Sequence, residues 1–159
     1  MSPSTLTQVC PRELDTLALG ERIGTGLTPG SLISLSGPLG AGKTVLVRGI
    51  AQGLGVDPTV VRSPTFVLHH VYLGGRVTLH HIDLYRLGAA ADIRFLDLDS
   101  LLENGAVVIE WGERTDVSRY TPLVMSVEIV DDEDRLVALR DDEVPPAIRA
   151  AFSGVTAIP

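Results

Sequence analysis

Cysteine, tryptophan and basic charge are all scarce in this chain of 159 residues, which has one Cys, one Trp and 13 Lys plus Arg against 20 Asp plus Glu. A lone Cys10 cannot close an internal disulfide, so the sequence points to a reducing compartment, the cytoplasm. The formal charge of -7 excludes a broad basic face able to grip a phosphate backbone, so any nucleic acid in its pathway is expected to be held by a partner. No apolar run reaches the roughly 18 residues of a membrane helix, and the N-terminus lacks the basic segment and apolar stretch of a signal peptide, so no membrane is expected among its partners. Fixed-period repeats and long linkers are also missing.

What remains is ordinary globular composition, 45% hydrophobic and 21% charged, in a chain long enough for one core and too short for two. The expectation is a single domain over residues 1–159, with 1–10 and 153–159 as loose ends. Pro11 to Leu27 reads as a helix, with Leu14, Leu17 and Ala18 on one face and Gly24 and Gly26 ending it. Ser31 to Ser36 reads as a short buried strand, followed by a glycine-rich turn and a helix from Lys43 to Leu54 that Gly55 closes.

Thr65 to Tyr72 and Arg76 to Ile82, rich in β-branched and aromatic residues and separated by Leu73, Gly74 and Gly75, read as a β-hairpin. Ala89 to Glu103 has a helical or broken-helical pattern stopped by Asn104 and Gly105. Ala106 to Trp111 is a buried strand ending in an acid, and Leu123 to Val130 and Arg135 to Arg140 read as paired strands around the acidic turn at Asp131 to Asp134. Pro145 and Pro146 open a short helix through Phe152. The fold class that follows is α/β: a single P-loop NTPase-like domain whose mixed sheet has an antiparallel part and is flanked by helices.

The most specific chemistry lies in Gly37-Pro38-Leu39-Gly40-Ala41-Gly42-Lys43-Thr44, which matches G-x-x-x-x-G-K-[ST] with a strand before and a helix after. The glycines let backbone N–H groups turn onto phosphates with no Cβ in the way, and the following helix N-terminus adds partial positive charge. Lys43 reaches the β- and γ-phosphates of ATP, and the Thr44 hydroxyl offers a position to Mg²⁺. The alternative is a glycine-rich turn that happens to end in Lys-Thr.

A magnesium ion on one hydroxyl and two phosphates needs nearby acid, and hydrolysis needs a group that orients water. Asp83, in the run HIDLYR, and Glu110, closing the strand Val107 to Ile109, both stand at strand ends, where open α/β sheets place ligand chemistry. Either could equally be an acid in a surface turn, as Asp131, Asp132 and Asp134 are. His69, His70, His80 and His81 invite a zinc reading, but adjacent strand residues point to opposite faces and no cysteine lies near. They read as sheet residues, with His81 the one expected on the nucleotide side. Trp111 covers the site or is core.

With these residues in place, the chain resembles the TsaE (YjeE-type) ATPases of bacterial tRNA threonylcarbamoyladenosine biosynthesis. The resemblance runs from Pro11 to Arg140. It rests on the order of LGAGKT at Leu39 to Thr44, VRGIAQGLG at Val47 to Gly55, SPTF at Ser63 to Phe66, HIDLYR at His81 to Arg86 and IEWGE at Ile109 to Glu113. It implies that Gly37 to Thr44 cradle ATP phosphates, that Thr44 and Glu110 ligate Mg²⁺, and that Asp83 positions water or supports the metal. Ser63 to Phe66, Thr65 included, would form a switch-like loop near the γ-phosphate, with Trp111 beside the site and Arg12 and Arg135 flanking the adenine. The family role it implies is that of an auxiliary ATPase to a TsaD-like transferase and a TsaB-like scaffold, which meets tRNA through that complex.

On this reading Lys43, Asp83 and Glu110 carry a slow, Mg-dependent hydrolysis by in-line attack of water on the γ-phosphate. No arginine is obviously placed as a finger in cis, although Arg62 and Arg86 are candidates. A small-molecule kinase is the first rival, but such kinases carry an arginine-rich lid, which the hairpin and Leu-rich segment here do not resemble. A GTP switch would need an Asn-Lys-x-Asp run, and the single Asn, Asn104, is followed by Gly105. A non-enzymatic interaction protein with a structural nucleotide is the remaining rival.

Overall fold

The computed structural model describes residues 4–152. Its frame is a sheet of seven strands, ordered β1-β7-β6-β2-β5-β4-β3. The centre is parallel: β4 (Thr78–Asp83), β5 (Gly105–Glu110), β2 (Leu32–Ser36) and β6 (Leu123–Ile129) lie side by side. Both wings are antiparallel, with β3 (His69–Tyr72) on β4 at one side, and β7 (Arg135–Arg140) and then β1 (Thr5–Cys10) beyond β6 at the other. The expected mixed α/β sheet is therefore the one found, with two antiparallel wings.

Every residue of β5 is buried, as a strand covered on both faces requires. Ala106 and Val108 face the larger core, shared with α1 (Glu13–Gly26), α2 (Lys43–Gly53) and α4 (Pro146–Ala151). Val107 and Ile109 face a smaller one, built from Leu32, Ile82, Leu84, Ile93, Leu98 and Val117. α1 and α2 approach closely because each carries a pair of glycines four residues apart on one face: Gly20 and Gly24 meet Gly49 and Gly53. A Cβ on Gly49 would overlap the Leu17 carbonyl, and one on Gly24 the Ile50 carbonyl. No helix among the described residues is long and apolar enough to cross a membrane.

Several elements differ from the sequence expectation. Residues 5–10 are not a loose end: six residues of β1 pair in register with β7, from Thr5 on Arg140 to Cys10 on Arg135. That pairing is tertiary, and nothing local in TLTQVC announces it. The expected looseness of 153–159 falls outside the described residues.

Gly24 does not end α1 but lies inside it, packed on α2. The hairpin starts at His69 rather than Thr65, because Val67 and Leu68 donate back to the Pro64 carbonyl and Leu68 sits at φ 66°. Ala89 to Glu103 is the broken form: a single turn at Arg94–Leu96 and then α3 (Leu98–Asn104). The break is Asp97, at φ 49°, which caps α3 by accepting from Ser100.

Candidate functional site

Strand direction assembles the site. β2, β4 and β5 are parallel neighbours, so their C-terminal ends fall together, as ligand sites in such sheets do. β2 delivers the loop Gly37 to Gly42, β4 ends in Asp83 and β5 ends in Glu110, with the two acids opposite each other in the register.

Gly40 and Gly42 take φ of 75° and 98°, which residues with a Cβ rarely adopt. Gly42 is the residue from which α2 starts, so the helix N-terminus opens directly onto the loop. Lys43, the only lysine of the chain, is 5% exposed. Its Nζ donates to the carbonyls of Gly37 at 2.5 Å and Pro38 at 2.9 Å, and stands 4.3 Å from the centre of a Trp111 ring. Burial pushes the Lys43 pKa below its ordinary value, opposed by the charges of Glu110, Glu113 and Asp83.

The acids are tightly held. Glu110 Oε1 accepts from the Thr44 hydroxyl at 2.8 Å and lies 3.1 Å from His81 Nε2. Asp83 Oδ2 accepts from Ser63 and Thr65, each at 3.0 Å, and Oδ1 accepts from the Tyr85 amide at 2.8 Å. Ser63, Thr65, Asp83, Tyr85, Glu110 and Trp111 line a cavity of about 390 Å³ together with residues 39–45. Across the loop a second cavity of about 340 Å³ is lined by Arg12, Glu13, Thr16, Glu133 and Arg135, and it shares Gly40, Ala41, Gly42 and Val45 with the first. Arg135 Nε donates to the Ala41 carbonyl at 3.1 Å, which ties β7 to the loop.

Most of the residues singled out in the sequence thus fall along one loop. Thr44, Thr65, Asp83, Glu110 and Trp111 lie on one side, and Arg12 and Arg135 on the other. His81 differs from expectation: it is fully buried and touches Glu110 instead of lining the cavity. His69 and His80 meet at 3.0 Å elsewhere in the hairpin.

Neither Arg62 nor Arg86 lines the acid-side cavity, and Arg86 instead lies over the Phe66 ring at 5.5 Å. Two participants were not singled out. The Tyr85 ring lies tilted against Trp111 with centres 5.2 Å apart, and Arg114 lies over both rings at 5.3 and 4.6 Å while donating to the Tyr85 carbonyl. Tyr85 lies inside the HIDLYR run and Arg114 directly follows IEWGE, which was the available signal. Trp111 itself takes φ 59°, a left-handed conformation uncommon for so bulky a residue.

Among the described residues no three or more His, Cys, Asp or Glu side chains converge to cage a metal ion. One hydroxyl beside one carboxylate, facing an open cavity, fits an ion such as Mg²⁺, which keeps water and phosphate oxygens in most of its positions.

Comparison with known proteins gives the family. Residues 10–137 match the family described as threonylcarbamoyl adenosine biosynthesis protein TsaE. The chain is 46% identical over 116 residues to the tRNA threonylcarbamoyladenosine biosynthesis protein TsaE of Mycobacterium bovis, covering 67% of this chain and 68% of that one. It is 40% identical over 130 residues to the protein of the same name from Treponema pallidum, covering 79% and 93%.

The crystal structure of Bacillus subtilis YdiB superposes with a TM-score of 0.73 at 23% identity, over 96% of this chain and 97% of that one, and so shares the fold. A P-loop NTPase-like sheet, a glycine-rich G-x-x-x-x-G-K-T loop with two acids at its edge and a family match over most of the chain lead to one assignment: the chain belongs to the TsaE family.

Proposed function

We propose that this protein binds ATP with Mg²⁺ and hydrolyses it slowly, as the auxiliary ATPase of threonylcarbamoyl transfer to adenosine 37 of tRNA in the cytoplasm. The observation that carries the reading is the Thr44–Glu110 hydrogen bond of 2.8 Å, beside Lys43 and inside a cavity continuous with the phosphate loop. It brings together a lysine, a hydroxyl and a carboxylate as a metal-bound triphosphate needs them.

In this reading the amides of residues 40–44 hold the phosphates, and Lys43 leaves the Gly37 and Pro38 carbonyls to meet the β- and γ-oxygens. Thr44 and Glu110 would hold Mg²⁺, which would offset charge on the phosphate oxygens. Asp83 releases the Ser63 and Thr65 hydroxyls and orients the attacking water. The adenosine occupies the cavity between Arg12 and Arg135, and Trp111 with Tyr85 walls the opposite side.

Two features support a dependence on partners. Among the described residues no arginine lines the acid-side cavity, and a finger supplied in trans is worth about 10³ to 10⁵ in rate. The charge of -7 leaves tRNA to a TsaD-like transferase and a TsaB-like scaffold.

The test is phosphate release from ATP and from GTP by the wild-type chain and Lys43→Ala, with and without the transferase complex and tRNA. ATP hydrolysis that needs Lys43 and rises with the complex is expected. Lys43-dependent transfer to a small metabolite, indifferent to the complex, would replace this reading with a kinase.

A further inference from the structure

Glu110 is held from behind by a group that the proposed chemistry does not use. His81 is fully buried, with Nε2 at 3.1 Å from Glu110 Oε1 and Nδ1 at 3.5 Å from the Tyr72 hydroxyl. A carboxylate offers only lone pairs, so the His81 proton belongs on Nε2, and Nδ1 is left to accept from Tyr72. The Tyr72 oxygen in turn accepts the Arg62 amide at 3.2 Å, and its hydroxyl also faces the Arg62 carbonyl at 3.2 Å and His70 Nδ1 at 3.2 Å. Burial pushes the Tyr72 pKa up, which keeps its proton in place as a donor.

One hydroxyl proton therefore serves both the Arg62 carbonyl and His81, while His70 Nδ1 accepts it or donates to the Tyr72 oxygen according to its tautomer. Arg62 is the first residue of the loop whose Ser63 and Thr65 hydroxyls both hold Asp83. A continuous chain, Thr44–Glu110–His81–Tyr72–Arg62, thus runs beneath the site and rejoins it through the loop at Asp83.

We propose that His81 and Tyr72 are positioning residues that couple the Glu110 carboxylate to the backbone of the Arg62 to Phe66 loop, so that metal–nucleotide occupancy at Thr44 and Glu110 is transmitted to the loop. The proposal rests on the Mg-ATP reading for its ligand, and on the hydrogen-bonded chain alone for the loop. When Thr44 and Glu110 turn to a metal ion, the Glu110–His81 bond shifts, and Tyr72 changes which acceptor takes its single proton. The Arg62 carbonyl gains or loses a partner accordingly. Outer groups of this kind orient a ligand carboxylate without touching the ion.

The test uses the full-length chain with Tyr72→Phe, His81→Gln and His81→Asn. Gln places its amide where Nε2 stands and keeps the donor to Glu110, whereas Asn mimics Nδ1 and keeps only the Tyr72 side. The first readout is amide hydrogen exchange of residues 61–67 in nucleotide-free protein, which needs no ligand. Exchange there is expected to rise about tenfold in Tyr72→Phe, the scale of losing one hydrogen bond, to fall in His81→Gln, where the Tyr72 proton is left to the Arg62 carbonyl, and to stay near the wild-type level in His81→Asn.

The second readout is ATP affinity with Mg²⁺ against EDTA. The gain from Mg²⁺ should fall about 10- to 100-fold in His81→Asn, as for other lost supports of a metal ligand, and be restored in His81→Gln. Loop exchange unchanged in both Tyr72→Phe and His81→Gln overturns the coupling, as does equal loss of the Mg²⁺ gain in Gln and Asn. If wild-type protein binds no Mg-ATP, the function proposal fails, and exchange of the nucleotide-free loop still decides the relay.

Discussion

The two sides of the glycine-rich loop at residues 37–42 are built differently. On the acid side, Asp83, Glu110 and His81 are buried at the ends of adjacent parallel strands, and their partners come from residues distant in sequence: Thr44 is 66 residues from Glu110, and Ser63 is 20 from Asp83. On the other side, Arg12 is exposed and pairs with its own neighbour Asp15 at 3.1 Å, and Arg135 donates to carbonyls of its own acidic turn and of Ala41. The first is fixed by the sheet, and the second by a helix start and a hairpin. A buried network with every partner made is rigid and sensitive to any deletion, whereas exposed ion pairs of the second kind contribute little. The chemistry is thus expected to reside on the rigid side and nucleoside contact on the adaptable one.

Three measurements press on that contrast. Asp83→Ala should show the largest effect: hydrolysis stimulated by the complex falls by about 10² or more, as for loss of a positioned base, while ATP affinity stays within a small factor. Hydrolysis unchanged in that variant removes Asp83 from the chemistry and makes its contacts with Ser63 and Thr65 purely structural.

Gly49→Ala addresses the adaptable side through its support, since α1 carries Arg12 at its start and lies on α2 through the glycine pairs. Forcing a methyl against the Leu17 carbonyl should lower stability by about 1 to 3 kcal/mol, the usual range for overpacking, seen as a lower Tm. If adaptable contacts matter less, ATP affinity at a temperature where the variant is folded will fall only slightly.

The smallest effect belongs to pH. Burial lowers the pKa of His69 and of His80 below the ordinary 6.5. Below that value the unfolded chain binds protons that the folded hairpin does not, so stability holds above pH 6.5 and declines as pH falls through the depressed values. A Tm that drops by a few degrees on acidification, with a weaker drop in His80→Asn, is the expected result. An unaltered profile in the variant would assign the decline to other groups.

The sequence displayed one half of this contrast more clearly than the other. Phosphate loop, strand and helix follow one another in the chain, so GPLGAGKT could be read locally, and the acids ending HHID and VVIE were visible as strand ends. The networks behind them were not. His81 was recognisable as a sheet residue, but its contact with Glu110 depends on β4 and β5 being parallel neighbours, which no local pattern states. The same reason hid β1, whose six residues gain order from β7, some 130 residues away in sequence. Gly24 was visible yet misread, because glycine near a helix end signals termination unless a second helix is known to lie against it, and nothing local marked Gly20, Gly49 and Gly53 as its packing partners.

In the proposed function the loop separates a nucleoside side from a metal and γ-phosphate side. This division is tested most directly by ATP affinity in Mg²⁺ and in EDTA for Arg135→Ala and Glu110→Gln. Arg135→Ala is predicted to weaken binding by the same factor in both conditions, about fivefold for one hydrogen bond of roughly 1 kcal/mol. Glu110→Gln is predicted to weaken it only when Mg²⁺ is present. Loss of affinity by Glu110→Gln that is equal in EDTA, or by Arg135→Ala only with Mg²⁺, would contradict the division.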